Sequence, residues 1–340
     1  MSFRIYKGDT LSISPNRSFS AKLVKFVSLV LGFAAMVLLS EAHAQGFPNK
    51  AVRIVIPFAP GGSADATARI INDKLSTLWG QPVIVEYKPG ANTVIGSNFV
   101  AKSAPDGYTL LLTSSAHVVN PSLYAKLPYD SVNDLAAVSI VSATPFALVA
   151  TNTLPVKSVK DVIALLRAKP GSQSFGTSDS SSLFAGHLFN MMAKTEFQSV
   201  PYKGAAPLMN DLAGGHVPLG FASVSSAQGM ASTNRVRVLG VGSLTPSVLF
   251  PDAPPIANDL PGFEAIIWFG LFVPRDTPKD IIVKIHRDLA TVLMDTDVQK
   301  RIIGLGAEPG SASTKEFEAR IKTEMALWAN VAKVAGIKPE

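Results

Sequence analysis

Nine residues, PFAPGGSAD at positions 57–65, join two patterned segments and constrain the fold more than any other stretch of the chain. Residues 51–56, just before them, form a short, β-branched and mostly apolar run that is typical of a buried strand. After them, apolar residues recur at helical spacing as far as Leu78, and Gly80 stands where a helix would end. The stretch is therefore predicted to be a strand-to-helix turn.

The residues of this turn are suited to binding an anion. Gly61 and Gly62 allow a ligand to approach the backbone closely, and Ser63 or Asp65 can cap the helix. Amides and the positive end of the dipole at such a helix start attract a carboxylate or a phosphate. A tight turn whose glycines only relieve backbone strain explains the same residues, so both interpretations stay open on this stretch alone.

Two more units of the same kind follow. Residues 82–87 and 108–113 read as strands, with a turn and a short helical pattern between them. Alternating strands and helices predict a parallel α/β sheet, and ligands bind beyond the carboxyl ends of such strands. The loops at 60–65, 88–93 and 114–117 all satisfy that condition.

A second α/β series begins near residues 146–150. It contains a short strand at 174–177, a hydroxyl-rich loop at 178–182 before a helix, and another helix start after the segment YKGAA at 202–206. The last third of the chain differs, because residues 266–273 form one apolar strand and three helical patterns follow it. The chain is therefore predicted to contain two α/β series joined by apolar strands.

Residues 1–44 have the composition of a secretory signal peptide. Two lysines precede a charge-free apolar run of 14 residues at 26–39, and AHA at 42–44 fits a signal peptidase site. The run is short for a membrane span, which favours cleavage over anchoring. Because the sequence has no cysteine, lipid attachment at cysteine is excluded. We expect cleavage after Ala44 and a soluble exported protein.

Charge and cysteine usage exclude several classes of partner and cofactor. Without residues 1–44 the chain keeps 26 basic and 23 acidic residues, with no Lys/Arg block, so nucleic-acid binding has little support. The absence of cysteine excludes disulfides and cysteine-ligated metals. We expect no metal and no cofactor.

The sequence also lacks the common catalytic motifs. The segment GGSAD resembles the nucleophile turn G-x-S-x-G of serine hydrolases but fails at Asp65. No phosphate loop or complete dinucleotide fingerprint occurs, and the histidines His117, His187, His216 and His286 are too widely spaced for a zinc motif. We therefore expect a binding protein with no catalytic residues.

Six segments occur in an order that is specific when they are taken together: PFAPGGSAD at 57–65, PGAN at 89–92, APDGYTL at 104–110, VPYKG at 200–204, DLAGGHV at 211–217 and WFGL at 268–271. Through them nearly all of the mature chain resembles the Bug family, the extracytoplasmic substrate-binding proteins of tripartite tricarboxylate transporters. The resemblance implies a periplasmic receptor for a small organic acid, working with inner-membrane transporter subunits. A sensor that passes its ligand-bound form to a signalling protein fits equally, and a secreted α/β hydrolase or lyase is the competing interpretation.

The resemblance also implies an α/β fold of the type II periplasmic-binding-protein class, with two α/β domains, a ligand cleft between them and two crossover strands. Domain 1 would take residues 47–147 and 269–340, and domain 2 residues 148–268. The strands at 146–150 and 266–273 are the expected crossovers. The chain is expected to be a monomer.

The family pattern and the loop positions together give one set of candidate ligand-binding residues. They are Pro60, Gly61, Gly62, Ser63, Asp65, Gly90, Ala91, Asn92, Ser114, Ser115, Ala116, His117, Thr177, Ser178, Ser181, Ser182, Lys203, Gly204 and Ser223.

Few cations occur in the predicted site. The loops at 60–65 and 88–93 contain only Lys88, and Lys203 lies at a turn where a lysine is usually exposed. We therefore expect backbone amides to carry most of the recognition of one carboxylate, and hydroxyls to hold the rest of the ligand. The expected amides are those of Gly61, Gly62, Ala91 and Asn92, and the expected hydroxyls those of Ser114, Ser115 and the loop 178–182.

The chain departs from the family pattern where many members carry acidic residues. Residues 217–223 read VPLGFAS, and Asn190 stands where an acidic residue is commoner. A ligand amine would require a carboxylate partner, so these departures weakly disfavour an acidic amino acid as the ligand.

Overall fold

The computed structural model of the chain describes residues 46–310 and 312–339. The predicted signal peptide and its cleavage site lie outside the described residues. All of the helices and strands below fall within one unit of the chain that begins at Lys50.

The described residues form one ten-stranded mixed sheet with helices packed around it. Its strands are β1 (Val52–Ile56), β2 (Val83–Tyr87), β3 (Thr109–Ser114), β4 (Leu135–Thr151), β5 (Ser174–Thr177), β6 (Gln198–Pro201), β7 (Leu219–Ser223), β8 (Val236–Val241), β9 (Ile266–Pro274) and β10 (Glu308–Pro309). The α-helices are α1 (Ser63–Trp79), α2 (Val94–Ala101), α3 (Ala116–Val119), α4 (Val159–Ala168), α5 (Ser180–Ala193), α6 (Ala205–Gly214), α7 (Val224–Ala231), α8 (Lys279–Leu293), α9 (Thr296–Gly304) and α10 (Thr314–Val334).

The sheet has two parallel parts connected by long antiparallel strands. Its main path runs β2-β1-β3-β9-β4-β7-β5-β6, and β8 and β10 each pair with β4. We call β1, β2 and β3, which pair in parallel, the first half of the sheet, and β5, β6 and β7, which also pair in parallel, the second half. Strand β4 pairs with β9 up to Pro145, with β7 from Phe146 and with β8 from Ala147, so it belongs to both halves.

Most predicted elements are confirmed, and their ends follow local chemistry. Helix α1 ends at Gly80, which adopts a left-handed φ of 61° as helix C-caps commonly do. Helix α10 begins with the predicted capping box, in which Ser313 and Glu316 satisfy each other's backbone amides. The predicted strand at 146–150 is only the end of the much longer β4, and α3, α7 and β10 were not predicted.

Among the described residues, two of the apolar clusters join strands of the sheet to helices. The larger one includes Phe146, Phe175, Phe221, Trp268 and Phe272, all at most 2% exposed, and it draws on both halves of the sheet. The smaller cluster packs α6 and α7 against β4 and β8. Each large side chain buried in this way contributes about 1.5–3 kcal/mol to the stability of the fold. The strand ends that carry the pocket described below are therefore held in place by a packed core. Within residues 46–310 and 312–339, no helix has the length and hydropathy needed to cross a membrane.

Candidate functional site

A pocket of about 380 Å³ lies beyond the carboxyl ends of the parallel strands in both halves of the sheet. Residues that end or follow β1, β2, β3, β5, β6 and β7 contribute to it, and β9 supplies part of its wall. This is the location that the α/β pattern predicts for a ligand. Its lining consists of Phe58, Gly62, Ser63, Ala64, Asn92, Ser114, Ala116, Ser178, Asp179, Ser180, Ser181, Gly204, Ala205, Ser223, Ser226, Ile267 and Phe269.

Four helices of eight or more residues begin at this pocket: α1, α5, α6 and α7. Each helix start presents backbone amides and the positive end of its dipole. Among the lining residues that the structure describes there is no lysine, arginine or histidine, and the one ionisable side chain is that of Asp179. Within this lining, backbone dipoles are therefore the one source of positive potential.

The four helix starts are not equivalent. Helix α5 is capped by the carboxylate of Asp179, which accepts from the Ser182 amide at 2.8 Å, and α7 is capped by the hydroxyl of Ser223. The N-cap residues of α1 and α6 are Gly62 and Gly204, which have no side chain to cap with. The first-turn amides of α1 and α6 therefore keep their hydrogen-bonding capacity for a ligand.

Asp65 fixes the conformation of the turn before α1 through hydrogen bonds. Gly61 adopts a φ of 90°, and its amide donates to the Asp65 carboxylate at 2.8 Å. The same carboxylate accepts from Arg69 Nε at 2.8 Å and from the Tyr87 hydroxyl at 2.7 Å. Burial alone would raise the pKa of Asp65, but the hydrogen bonds from Gly61, Tyr87 and Arg69 outweigh it and hold the pKa below its usual value. Asp65 and the Gly61 amide thus organise the turn and do not line the pocket.

One wall of the pocket is apolar. The rings of Phe58 and Phe269 meet edge to face with centroids 6.4 Å apart, and Ile267 lies beside them in the lining. Alanines at the starts of α1, α3 and α6 add methyl groups to the lining. The pocket therefore offers amides and hydroxyls on one side and an apolar surface at the rings.

His117 lies in the core and outside the pocket lining. The side chain is fully buried, and its ring centroid lies 4.7 Å from that of Phe272 and 6.5 Å from that of Tyr129. Burial lowers the pKa of His117 from 6.5 to about 4, and the neighbouring backbone of Ser131 offsets only part of that effect. The residue is a neutral packing group at physiological pH.

The two candidate cations also lie outside the lining. Lys88 Nζ forms an ion pair with Glu86 at 2.8 Å and lies 4.1 Å from the centroid of the Phe99 ring. Lys203 is exposed just before Gly204.

The structure brings together about half of the predicted site. The predicted residues that line the pocket are Gly62, Ser63, Asn92, Ser114, Ala116, Ser178, Ser181, Gly204 and Ser223. Those outside the lining are Pro60, Gly61, Asp65, Gly90, Ala91, Ser115, His117, Thr177, Ser182 and Lys203. Most of the second group are chain neighbours of the first and shape its loops, as Asp65 and Ser182 do through their hydrogen bonds.

Sequence reasoning missed several lining residues: Phe58, Ala64, Asp179, Ser180, Ala205, Ser226, Ile267 and Phe269. Asp179 and Ser180 lie inside the loop 178–182, whose hydroxyls were predicted to hold the ligand, although neither residue was among the individually named candidates. Ile267 and Phe269 belong to a strand that reads as buried core, and no local signal marks its pocket-facing positions. Within the described part of the chain, no group of His, Asp or Glu is placed to hold a metal ion.

The family model described as "Tripartite tricarboxylate transporter family receptor" matches residues 67–337. The chain belongs to this family. BugT of Bordetella pertussis is 34% identical over 322 residues, covering 93% of this chain and 98% of BugT. The resemblance to Bug proteins is thereby confirmed.

Solved structures agree with the predicted fold. The structure of R. palustris Rpa4515 with adipate superposes with a TM-score of 0.75 at 32% identity, covering 86% of this chain and all of that one. MatC from Rhodopseudomonas palustris with bound malate gives 0.72 at 28% identity, covering 84% of this chain and all of MatC. The receptor therefore has the periplasmic-binding-protein fold, and it is a periplasmic solute-binding receptor of its family.

Proposed function

We propose that this receptor binds a small organic acid in the 380 Å³ pocket and delivers it to the membrane subunits of a tripartite tricarboxylate-type transporter. One observation carries the proposal: four helix starts converge on a pocket whose described lining has no cationic side chain. Backbone dipoles attract a carboxylate there without a fixed counter-charge.

The uncapped helix starts supply the main contacts in this proposal. The first-turn amides of α1 and α6 belong to opposite halves of the sheet and face one pocket, so a molecule with a carboxylate at each end can use both. The hydroxyls of Ser114, Ser178 and Ser181 complete the polar contacts, and the ring pair Phe58–Phe269 receives the chain between the carboxylates. The adipate and malate in the related structures are both dicarboxylates, which supports this ligand class.

The lining favours binding over catalysis. Its serines have no histidine beside them among the described lining residues, and Asp179 already accepts hydrogen bonds from Ser182 and Ser178. A hydrolase would need a base next to its nucleophile. We therefore propose that the protein is not an enzyme.

The domain assignment and the export route are part of the same proposal. Strands β9 and β4, which lie between β3 of the first half and β7 of the second, support domains of residues 47–147 with 269–340, and 148–268. Cleavage after Ala44 and a monomeric state complete the proposal for a freely diffusing receptor.

Calorimetric titration of the purified protein with adipate, malate and dimethyl adipate tests the ligand class. Native mass spectrometry first shows whether an acid co-purifies, and denaturation followed by refolding removes it. We expect an acid to bind and the neutral diester not to bind, because the ester offers no anion to the helix starts. Equal binding of adipate and its diester would contradict the proposal.

Uptake of the labelled acid by cells with and without the receptor then tests delivery to the transporter.

A further inference from the structure

The loop that connects β2 to α2 has an unusual backbone. Ala91, Asn92 and Thr93 follow one another with φ values of 45°, 47° and 77°. Residues other than glycine rarely adopt this left-handed region, and a β-branched residue such as threonine does so least readily. A run of three such residues persists only where the surrounding structure holds it.

The side chain of Asn120 holds this loop from behind. Asn120 is fully buried. Its Nδ2 donates to the backbone oxygen of Asn92 at 2.8 Å and to the hydroxyl of Thr93 at 3.3 Å. Its Oδ1 accepts from Asn92 Nδ2 at 2.6 Å. The Asn120 carboxamide therefore forms hydrogen bonds with two of the left-handed residues, and this requires a donor and an acceptor on the same side chain.

The side chain of Asn92 continues across the pocket. Its Nδ2 donates to the Ser180 hydroxyl at 2.9 Å, and that hydroxyl is 3.3 Å from Asn92 Oδ1. Ser180 begins α5, which follows β5 in the second half of the sheet, whereas Asn92 follows β2 in the first half. The hydroxyls of Ser115 and Ser181 lie 3.4 Å apart and link the same two sides. Both Asn92 and Ser180 line the pocket.

We propose that Asn120 is the positioning residue of the ligand pocket, fixing residues 91–93 in the left-handed form so that Asn92 latches the two halves of the sheet together through Ser180. The inference rests on the proposed function, since the latch closes over the bound acid. Both Nδ2 hydrogens of Asn92 are used within the protein, so its side chain is a wall that retains the ligand and not an anion donor. Opening the pocket breaks the bond to Ser180 and keeps the bonds to Asn120, because Asn120 lies in the same half as the loop.

Hydrogen exchange of the ligand-free protein tests the tether without any ligand. In Asn120→Ala the amides of residues 91–97 should exchange faster than in the wild type, because the bonds from Val94 to Ala91 and from Ser97 to Thr93 depend on the loop conformation. Exchange in α8 should stay unchanged. Asn330→Ala, at an exposed position on α10, is the matched control. Unchanged exchange in residues 91–97 would overturn the role of Asn120.

Titration with adipate and malate tests the consequence for binding. Asn120→Ala should weaken the affinity about tenfold or more. Adding Ala91→Gly should recover part of that loss, because glycine adopts a positive φ without a tether. Position 91 is exposed, so this change leaves the core packing intact. A core-packing role for Asn120 would not respond to a glycine in the loop, and failure of the double variant to bind more tightly than Asn120→Ala would overturn the proposal.

Ser180→Ala isolates the latch. It should raise the dissociation rate of the acid several-fold and leave the melting temperature unchanged, whereas the control Ser232→Ala, exposed at the end of α7, should change neither. An unchanged dissociation rate would show that no latch operates. If the wild-type protein binds neither acid, the proposed ligand class fails, and the exchange experiment still decides whether Asn120 positions the loop.

Discussion

At the residue scale, two adjacent glycines in the turn before α1 have different tasks. Gly61 has a φ of 90° and needs to be glycine for its conformation, whereas Gly62 has a φ of −87° that any residue adopts. A side chain added at Gly62 meets open space next to the pocket. The sequence shows the pair GG but not which of the two faces a ligand.

Gly62→Val should therefore abolish most acid binding and leave the fold stable. Charge-assisted hydrogen bonds to amides contribute roughly 1.5–3 kcal/mol each, so blocking one costs about ten- to a hundredfold in affinity and blocking two costs at least about a hundredfold. Gly61→Ala should have the opposite effects: it should keep most acid binding and lower the unfolding free energy by about 1–2 kcal/mol through backbone strain. Calorimetric titration and thermal unfolding of both variants check this, with Lys88→Ala as a control that keeps its affinity. A lysine-anchored site would show the opposite pattern, with binding lost in Lys88→Ala and kept in Gly62→Val.

The buried His117 makes the stability depend on pH. Its pKa is about 4 in the folded protein and 6.5 in the unfolded chain, so the unfolded chain binds the proton more readily. The stability due to this group is complete above about pH 6.5 and falls as the pH drops from there toward 4, by roughly 3 kcal/mol in total. His117→Phe should remove this slope from denaturant unfolding between pH 4 and 7, and His216→Phe, at an exposed position, should retain it. An equal slope in the two variants would assign the pH dependence to other groups.

At the element scale, the sequence predicted strands and helices well where periodicity is strong and failed where small residues dominate. The early part of β4 reads LAAVSIVSATP and α7 reads VSSAQGMA, and neither shows a clear period. Their structure is set by partners far along the chain: β4 pairs with β9, and α7 packs beside β4 and β8.

The sequence predicted which loops form the pocket, but it did not predict which side chains of those loops contact one another. Strand order places the loops after the parallel strands together, which the α/β pattern alone implies. Cross-pocket pairs such as Asn92 and Ser180 depend on how the two halves of the sheet meet. The tether from Asn120 was missed because a buried asparagine in the short segment after α3 carries no local signal.

Helix α6 offers a test in which stability and affinity change in opposite directions. Ala205→Asp places a carboxylate at the uncapped start of α6, where the dipole stabilises a negative charge by about 0.3–1 kcal/mol. The same carboxylate should repel a dicarboxylate and compete for the amides, so the affinity for adipate should fall while thermal stability is kept or rises. Lys160→Asp also places a carboxylate in the first turn of a helix, α4, outside the pocket lining; although it alters the charge by two units and not one, it should leave the affinity unchanged. If Ala205→Asp binds adipate as tightly as the wild type, α6 takes no part in anion binding.

At the scale of the whole molecule, the long strand β4, which pairs with both halves of the sheet, suits a receptor that opens and closes. Strand β4 changes partners between Pro145 and Phe146, from β9 to β7 and β8. At this point the Phe146 amide donates to the Ala265 oxygen at 3.0 Å, and the Gly242 amide donates to the Phe146 oxygen at 2.6 Å. A change of a few backbone angles here would move one half of the sheet relative to the other, and the larger apolar cluster, which draws on both halves, would have to repack as they move.

The arrangement described here has the two halves in contact across the pocket, through Asn92 with Ser180 and Ser115 with Ser181. Neutral hydrogen bonds contribute only about 0.5–1.5 kcal/mol each, so these contacts alone hold the pocket closed weakly. A bound acid adds charge-assisted bonds to both halves and should shift the population toward the closed form. In X-ray scattering, the protein saturated with adipate should match the curve calculated from this structure, and the ligand-free protein should have a larger radius of gyration. Ser180→Ala should enlarge the ligand-free form further. A radius that is the same with and without saturating ligand would mean that the halves do not separate, and that the acid enters a pocket that is closed before it binds.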